Sequence, residues 1–270
     1  MEDKLFISIL ICCYNSENYI TKTLNSILSQ NYKNYEIIIV DDGSTDRTKK
    51  IIEKKLKNVK YHYHFHTNRG LSESRNIGIE ISKSNYVFIL DHDDQMMENR
   101  LSKQVQEIIK NENCAVYFGN CYIGNDNNLT KFDLFKKKYN FNLQKRKNNN
   151  FNFDKYLLAY GCFIPSSSVV INKKFIKYYK FDKRFSYVAD YDFFINLASK
   201  FNFFKSNNVY AYWNINENQI SSLNINNNYA EIIKMYNKFF LKNYKYLLSF
   251  KILANYLTLH LKKFYWKINK

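Results

Sequence analysis

Proline, glycine, arginine and acid are all scarce in this chain. One Pro and six Gly in 270 residues leave the chain reading as one large domain, or one domain with an extension. Five cysteines, at positions 12, 13, 114, 121 and 162, form no CxxC pair; their odd number and apolar surroundings predict reduced, buried thiols. No stretch reaches about 18 apolar residues, which excludes a membrane-spanning helix. The start lacks a basic region and a cleavage site before "LFISILICC", so the expectation is a cytoplasmic protein without a secretory signal. Acid is outnumbered, 24 against 41 basic residues, for a formal charge of +17. Such a charge attracts an acidic partner: nucleic acid, anionic lipid or a phosphorylated substrate. Only six of the 41 cations are Arg. Bidentate recognition of bases and phosphates favours Arg, whereas a Lys-rich surface suits diffuse attraction, as at an anionic membrane face.

Apolar residues, by contrast, are abundant and ordered. Leu5–Cys13 is a continuous apolar run that reads as a buried parallel strand. Asn15 or Ser16 is placed to cap a helix striped by Ile20, Leu24, Ile27 and Leu28. Strand Glu36–Val40, a helix with Ile51, Ile52 and Leu56, strand Lys60–Phe65, a helix over Ser72–Ser82 and strand Tyr86–Leu90 follow. This alternation predicts an α/β fold with a mostly parallel sheet and helices on both faces. Ligands then bind beyond the carboxyl ends of the strands. A helix near Asn99–Lys110 and a strand at Ala115–Gly119 come next. Residues 124–155 are polar and Asn-rich and read as a loop or insertion. Order resumes at "LLAYGCFIPSSSVVI" (157–171), with a short helix after it. The last forty residues carry apolar positions at helical spacing, with nine Lys and one acid, Glu231, between Tyr229 and Lys270. They read as basic amphipathic helices, packed on the domain or lying on a membrane surface or partner.

Acid is concentrated at the predicted strand ends. "DHDD" places Asp91, Asp93 and Asp94 after the apolar run 86–90. Clustered carboxylates repel unless a cation or hydrogen bonds hold them. Oxygen-only ligands favour Mg2+ or Mn2+, ions that commonly hold phosphates as well; the competing reading is a solvated turn in which Asp94 caps the following helix. "VDDGSTD" (40–46) is a turn whose Ser44, Thr45 or Asp46 could cap a helix, and whose Asp41 and Asp42 add acceptors. A carboxylate there could accept the N3–H of uracil, with Tyr14 stacked on the base. The row His62, His64, His66 reads as solvent-facing. Asp190 and Asp192 in "VADYDFF" precede an apolar helix as caps or as a catalytic carboxylate.

The order "CYN", "DDGSTD", "NRGLSESRNIGI", "DHDD", "PSSSVVI", "ADYDFF" resembles that of family 2 glycosyltransferases with the GT-A fold, over roughly residues 5–222. The resemblance implies a GT-A domain over 1–225, its donor half in 1–119 and its acceptor half in 120–225, followed by a basic helical extension over 226–270. It implies nucleotide-sugar contacts at Cys13, Tyr14, Asn15, Glu17, Asn68 and Arg75, with Asp42 on uracil N3. Asp91, His92 and Asp93 correspond to the family's D-x-D. Asp93 and Asp91 would then hold Mn2+ or Mg2+, and Asp190 would be the general base. Three departures stand out. Cys12-Cys13 replaces the usual Pro-Thr, Ala189 replaces a Glu beside the base, and Asn214 and Asn216 occupy positions that are often basic. The expected activity is inverting transfer from a UDP-hexose or UDP-N-acetylhexosamine to a glycan or glycolipid hydroxyl, in capsule, lipooligosaccharide or a similar surface polysaccharide. The expected site is the cytoplasm, peripheral on the inner face of the membrane. The alternatives are a metal-dependent nucleotidyltransferase and a basic nucleic-acid binder. Few Arg and acidic strand ends weigh against nucleic acid.

Overall fold

A computed structural model describes residues 5–125, 128–132, 153–216 and 225–268, with side chains left aside at 125, 128–132, 225–226 and 266–268. The N-terminal half alternates β1 (Ile7–Cys13), α1 (Ile20–Leu28), β2 (Tyr35–Asp41), α2 (Thr48–Lys55), β3 (Tyr61–Phe65), α3 (Leu71–Ile81) and β4 (Tyr86–Asp91). Then come β5 (Gln95–Met96), α4 (Arg100–Lys110), β6 (Cys114–Asn125), β7 (Asn128–Phe132), α5 (Phe153–Tyr160), a 3-10 turn (Ser166–Ser168) and β8 (Val170–Asn172). The chain continues with α6 (Ala189–Ala198), β9 (Asn202–Asn214), α7 (Ile225–Lys242), a second 3-10 turn (Tyr244–Tyr246) and α8 (Phe250–Ile268). All strands join one sheet, ordered β3-β2-β1-β4-β8-β6-β9-β5, with β7 on β6. The first four strands in this order are parallel. β8 runs antiparallel to β4 and β6, and β9 runs parallel to β6.

The continuous apolar runs arise because this sheet is covered on both faces. Along β1, Ile7, Ile9, Ile11 and Cys13 enter the core shared with α1, α2 and α4, while Leu10 and Cys12 enter the core beneath α3, α5, α6 and α7. β2 and β4 divide in the same way: Ile37, Ile39, Phe88 and Leu90 point one way, and Ile38, Val40, Val87 and Ile89 the other. Full burial of each such side chain stabilises the fold by about 1.5–3 kcal/mol. α3 lies so close to β1 that a Cβ on Gly78 would stand 2.2 Å from Leu10 Cδ1. Glycine at that point of "SRNIGI" is a packing requirement.

Several sequence expectations change. Neither Asn15 nor Ser16 caps α1 through its side chain; Asn15 has φ 46° and its Oδ1 accepts from the Thr45 amide instead. Asp94 is buried beneath the site, so the helix after it begins at Arg100 without that cap. The residues after β8 form successive turns closed by i→i+3 bonds, such as Phe175 N to Asn172 O and Tyr179 N to Ile176 O, because Ile176 turns into the core. Part of the 124–155 segment is β7, paired with β6, while residues 133–152 lie outside the described part. His66 is buried, not solvent-facing, since the chain turns inward past the end of β3.

Candidate active site

The order β3-β2-β1-β4 brings the carboxyl ends of β1, β2 and β4 side by side, with α1 and α2 on one face and α3 on the other. This is the crevice position where open parallel sheets bind ligands. Tyr14 leaves β1 with 46% of its surface exposed. Cys13, the residue before it, turns its thiol into the core, where burial raises its pKa; its carbonyl accepts from the Asp42 amide at 2.9 Å. The β1 and β2 loops lock together: Asn15 N donates to Ser44 Oγ at 2.9 Å, and Glu17 N donates to Asp46 Oδ2 at 3.0 Å. Asp46 Oδ1 also accepts from Thr48 N, doing the capping work expected for α2. Glu17 Oε2 receives both the amide and Nε of Arg47 at 3.0 Å, so its carboxylate already has a partner.

Asp42 is held rigidly. Its Oδ1 accepts from Arg69 N at 2.7 Å, its Oδ2 from Gly70 N at 3.0 Å, and His66 Nδ1 lies 3.3 Å from Oδ1. The turn between them is tight. Gly43 has φ +86°, and a Cβ there would meet Asn68 N at 2.8 Å. Asn68 itself is exposed beside this turn. Asp41, one residue earlier, accepts from Ser44 N and from the Tyr63 hydroxyl.

At the end of β4, Arg75 is the organising charge. Its side chain is 2% exposed and it forms ion pairs with Asp190 through NH1 and with Asp91 through NH2, the latter at 2.7 Å. Asp190 lies in the first turn of α6 and takes a second bond, from Ser166 Oγ at 2.6 Å. Burial raises the pKa of Asp190, Arg75 opposes that rise, and Asp91 adds to it. One guanidinium therefore draws the candidate base to the first aspartate of the D-x-D. Asp192, two residues on, is fully buried against Lys238 and stands apart from this cluster.

The rest of the D-x-D is tied down as well. His92 O accepts from Thr23 Oγ1 at 2.8 Å, and its ring Nδ1 lies 3.3 Å from Cys12 O. Asp93 Oδ2 accepts from Asn216 Nδ2 at 2.8 Å. Asp94 accepts from Ser167 Oγ and from Asn214 N; burial, then Asp93 and Asp91, push its pKa well above the usual carboxylate range. Asn214 and Asn216 thus meet the aspartates, while residues 217–221 of "WNINENQIS" lie outside the described part.

Sequence reading left Ser166, Ser167 and Arg100 without roles. Ser166 holds Asp190, while Ser167 accepts from Asp91 N and donates to Asp94. Ser168 bonds Gly119 O and Pro165 O. Arg100 is fully buried, its guanidinium donates to the carbonyls of Ser167 and Val169, and burial lowers its pKa to about 9. The triple serine in "PSSSVVI" was the available signal.

Among the described residues, no group of three or more His, Cys, Asp or Glu converges as a ready-made metal cage. Asp91 and Asp93 nevertheless suit a hard cation of the kind held by one or two carboxylates together with substrate phosphates. They are oxygen donors at a strand end, and both remain partly exposed.

The model of "Glycosyl transferase family 2" matches residues 8–173. An Escherichia coli protein, UDP-Glc:alpha-D-GlcNAc-diphosphoundecaprenol beta-1,3-glucosyltransferase WfaP, is 30% identical over 238 residues, covering 86% of this chain and 84% of its own length. An uncharacterized glycosyltransferase of Haemophilus influenzae is 34% identical over 138 residues; the match covers 50% of this chain and about half, 55%, of that relative. Among solved structures, Staphylococcus aureus TarS 1-349 in complex with UDP-GlcNAc superimposes with TM-score 0.70 at 20% identity, covering 96% of this chain and 73% of that one. The mannosyltransferase PcManGT from Pyrobaculum calidifontis, in complex with GDP-Man and Mn2+, gives 0.61 at 12% identity, covering 95% and 75%. These structural likenesses identify the fold as GT-A.

Proposed function

From the premise that this chain belongs to glycosyl transferase family 2, we propose that it is an inverting enzyme. It moves a hexose or N-acetylhexosamine from a UDP-sugar to a hydroxyl of a lipid-linked glycan, during surface-polysaccharide synthesis at the cytoplasmic face of the membrane. The observation that carries this reading is the Arg75 bridge, which holds Asp190 and Asp91 side by side on one guanidinium at the end of β4. A base for the acceptor and a platform for the donor's diphosphate are then adjacent.

The exposed ring of Tyr14 stacks on the uracil, and Asp42, oriented by two backbone amides, accepts its N3–H. Asn15, Asn68 and Glu17 border the nucleoside side, while His92 and the Cys13 backbone form the floor. Asp91 and Asp93 would hold Mn2+ or Mg2+, which when bound supplies positive charge to the leaving diphosphate. Asp190 takes the acceptor proton as the hydroxyl oxygen attacks the anomeric carbon. The bond from that carbon to the diphosphate oxygen breaks, and UDP departs. A single displacement from the opposite side inverts the anomeric configuration. Burial serves this role: a carboxylate whose pKa is raised is a better base near neutral pH.

Two similar proteins support the substrate class: WfaP, with a UDP-glucose donor and a GlcNAc-diphosphoundecaprenol acceptor, and TarS, whose structure was solved with UDP-GlcNAc bound. The test is a thermal-shift panel of UDP-sugars with Mn2+, followed by a UDP-release assay on an undecaprenyl-diphosphate-linked sugar. One stabilising donor and acceptor-dependent UDP release are expected. Pyrophosphate release from a nucleoside triphosphate would instead establish the nucleotidyltransferase reading.

A further inference from the structure

The long C-terminal helix α8 has two apolar faces, and the fold uses only one. Its inner face is anchored. Ile252 is buried, Asn255 donates to Leu158 O at 3.0 Å and to the Tyr236 hydroxyl at 2.7 Å, and the Tyr256 ring packs against Phe240 at 5.1 Å. These contacts fix the helix about its axis and aim the opposite face at solvent. On that face stand Phe250, Leu257, Leu261 and Phe264, spaced seven, four and three residues apart, which is one stripe at 3.6 residues per turn. They are 86%, 52%, 70% and 64% exposed. Of the sixteen exposed large hydrophobic side chains among the described residues, nine fall between Leu241 and Tyr265, so the patch is concentrated where scattered exposure would need no explanation.

The charge around the stripe has one sign. Lys234, Lys242, Lys245, Lys251, Lys262 and Lys263 are exposed along α7, the following turn and α8. The single acid of the region, Glu231, spends its carboxylate on the amides of Ser186, Tyr187 and Val188. A partner for an apolar stripe flanked by lysines and free of competing acid is apolar within and anionic at its surface. We infer that α8 lies in the headgroup layer of an anionic bilayer, with Phe250, Leu257, Leu261 and Phe264 entering the acyl boundary and the lysines meeting lipid phosphates. This deepens the membrane-side location in the proposed function, yet it stands on α8 alone and requires no donor chemistry.

The test is co-sedimentation of the full chain with phosphatidylcholine vesicles, with and without phosphatidylglycerol. It compares the native protein with a triple variant, Leu257→Ser, Leu261→Ser and Phe264→Ser, and with Lys262→Glu plus Lys263→Glu. These positions are exposed, and an unchanged melting transition confirms the fold of each variant. The native chain is expected to sediment with phosphatidylglycerol-containing vesicles and to lose this at high salt. The apolar variant is expected to bind on the order of a hundredfold more weakly, and the charge-reversed variant at least tenfold more weakly. Equal sedimentation of native and triple-variant chains would overturn the inference. So would an apolar variant that converts a native dimer to monomer in sedimentation velocity, since the stripe would then cover a second copy. Nucleotide binding is measured separately by thermal shift with UDP, so loss of the donor reading and loss of the lipid reading are distinguishable.

Discussion

Replacing Arg75 with Met removes the guanidinium and keeps most of the side-chain volume. What remains is two carboxylates, on Asp190 and Asp91, with no cation between them. Breaking a buried ion pair by deleting one partner costs about 3–5 kcal/mol. Both carboxylates keep an edge in water, with side chains 27% and 30% exposed, which argues for the lower end, about 3 kcal/mol. For an unfolding slope of about 3 kcal/mol/M, that is a loss of about 1 M in the urea midpoint. The pH dependence follows from the groups left behind. Burial and Asp91 both raise the pKa of Asp190, and Arg75, which opposes them, is gone. The folded protein then holds its proton above the pH at which the unfolded carboxylate, near about 3.9, releases it. Stability of the variant is therefore highest below that pH and falls as pH rises toward the raised folded value. The gap between native and variant chains should narrow on acidification, measured as urea midpoints in metal-free buffer across the acid-to-neutral range. Equal midpoints for the two chains, or a gap that widens on acidification, would refute the bridge as the organising interaction.

Asp190→Asn should leave the UDP-sugar thermal shift intact and lower kcat by about 10²–10⁴-fold, the scale of a lost general base. In the native enzyme, kcat should fall on acidification with an apparent pKa above the usual carboxylate range, because protonation of Asp190 removes the base. Asp93→Ala should abolish the Mn2+-dependent part of the donor's thermal shift while the metal-independent part, at Tyr14 and Asp42, persists. Gly78→Ala should destabilise the fold by about 1–3 kcal/mol in urea titration, because the new methyl meets Leu10 Cδ1 at 2.2 Å.

Much of the N-terminal half was legible because it is built from local signals. β1, β2 and β4 announce themselves as apolar runs since both of their faces are buried, and each ends at a polar cluster that the parallel order places in one crevice. What stayed hidden depends on pairing across long sequence separations. β8, β6 and β9 insert beside β4, and only that insertion brings Ser167 under Asp91 and Asp94, and Ser166 and Arg75 onto Asp190. Asp94 looked like a cap because the local pattern contains no sign of the Ser167 hydroxyl or the Asn214 amide that bury it. His66 looked like the last of an exposed row because alternation along β3 does not reveal that the chain turns inward, to Asp42 and Ser74, where the strand ends.

The carboxyl ends of β1, β2 and β4 are proposed to receive a UDP-sugar, with its diphosphate at Asp91 and Asp93. A crystal structure grown with UDP and Mn2+ tests it most directly. Uracil is expected against the Tyr14 ring with N3 at Asp42, and a cation beside Asp93 or Asp91 and the diphosphate. Nucleotide bound elsewhere, or a D-x-D still closed on Asn216 and Arg75 with nucleotide present at saturating concentration, would contradict it.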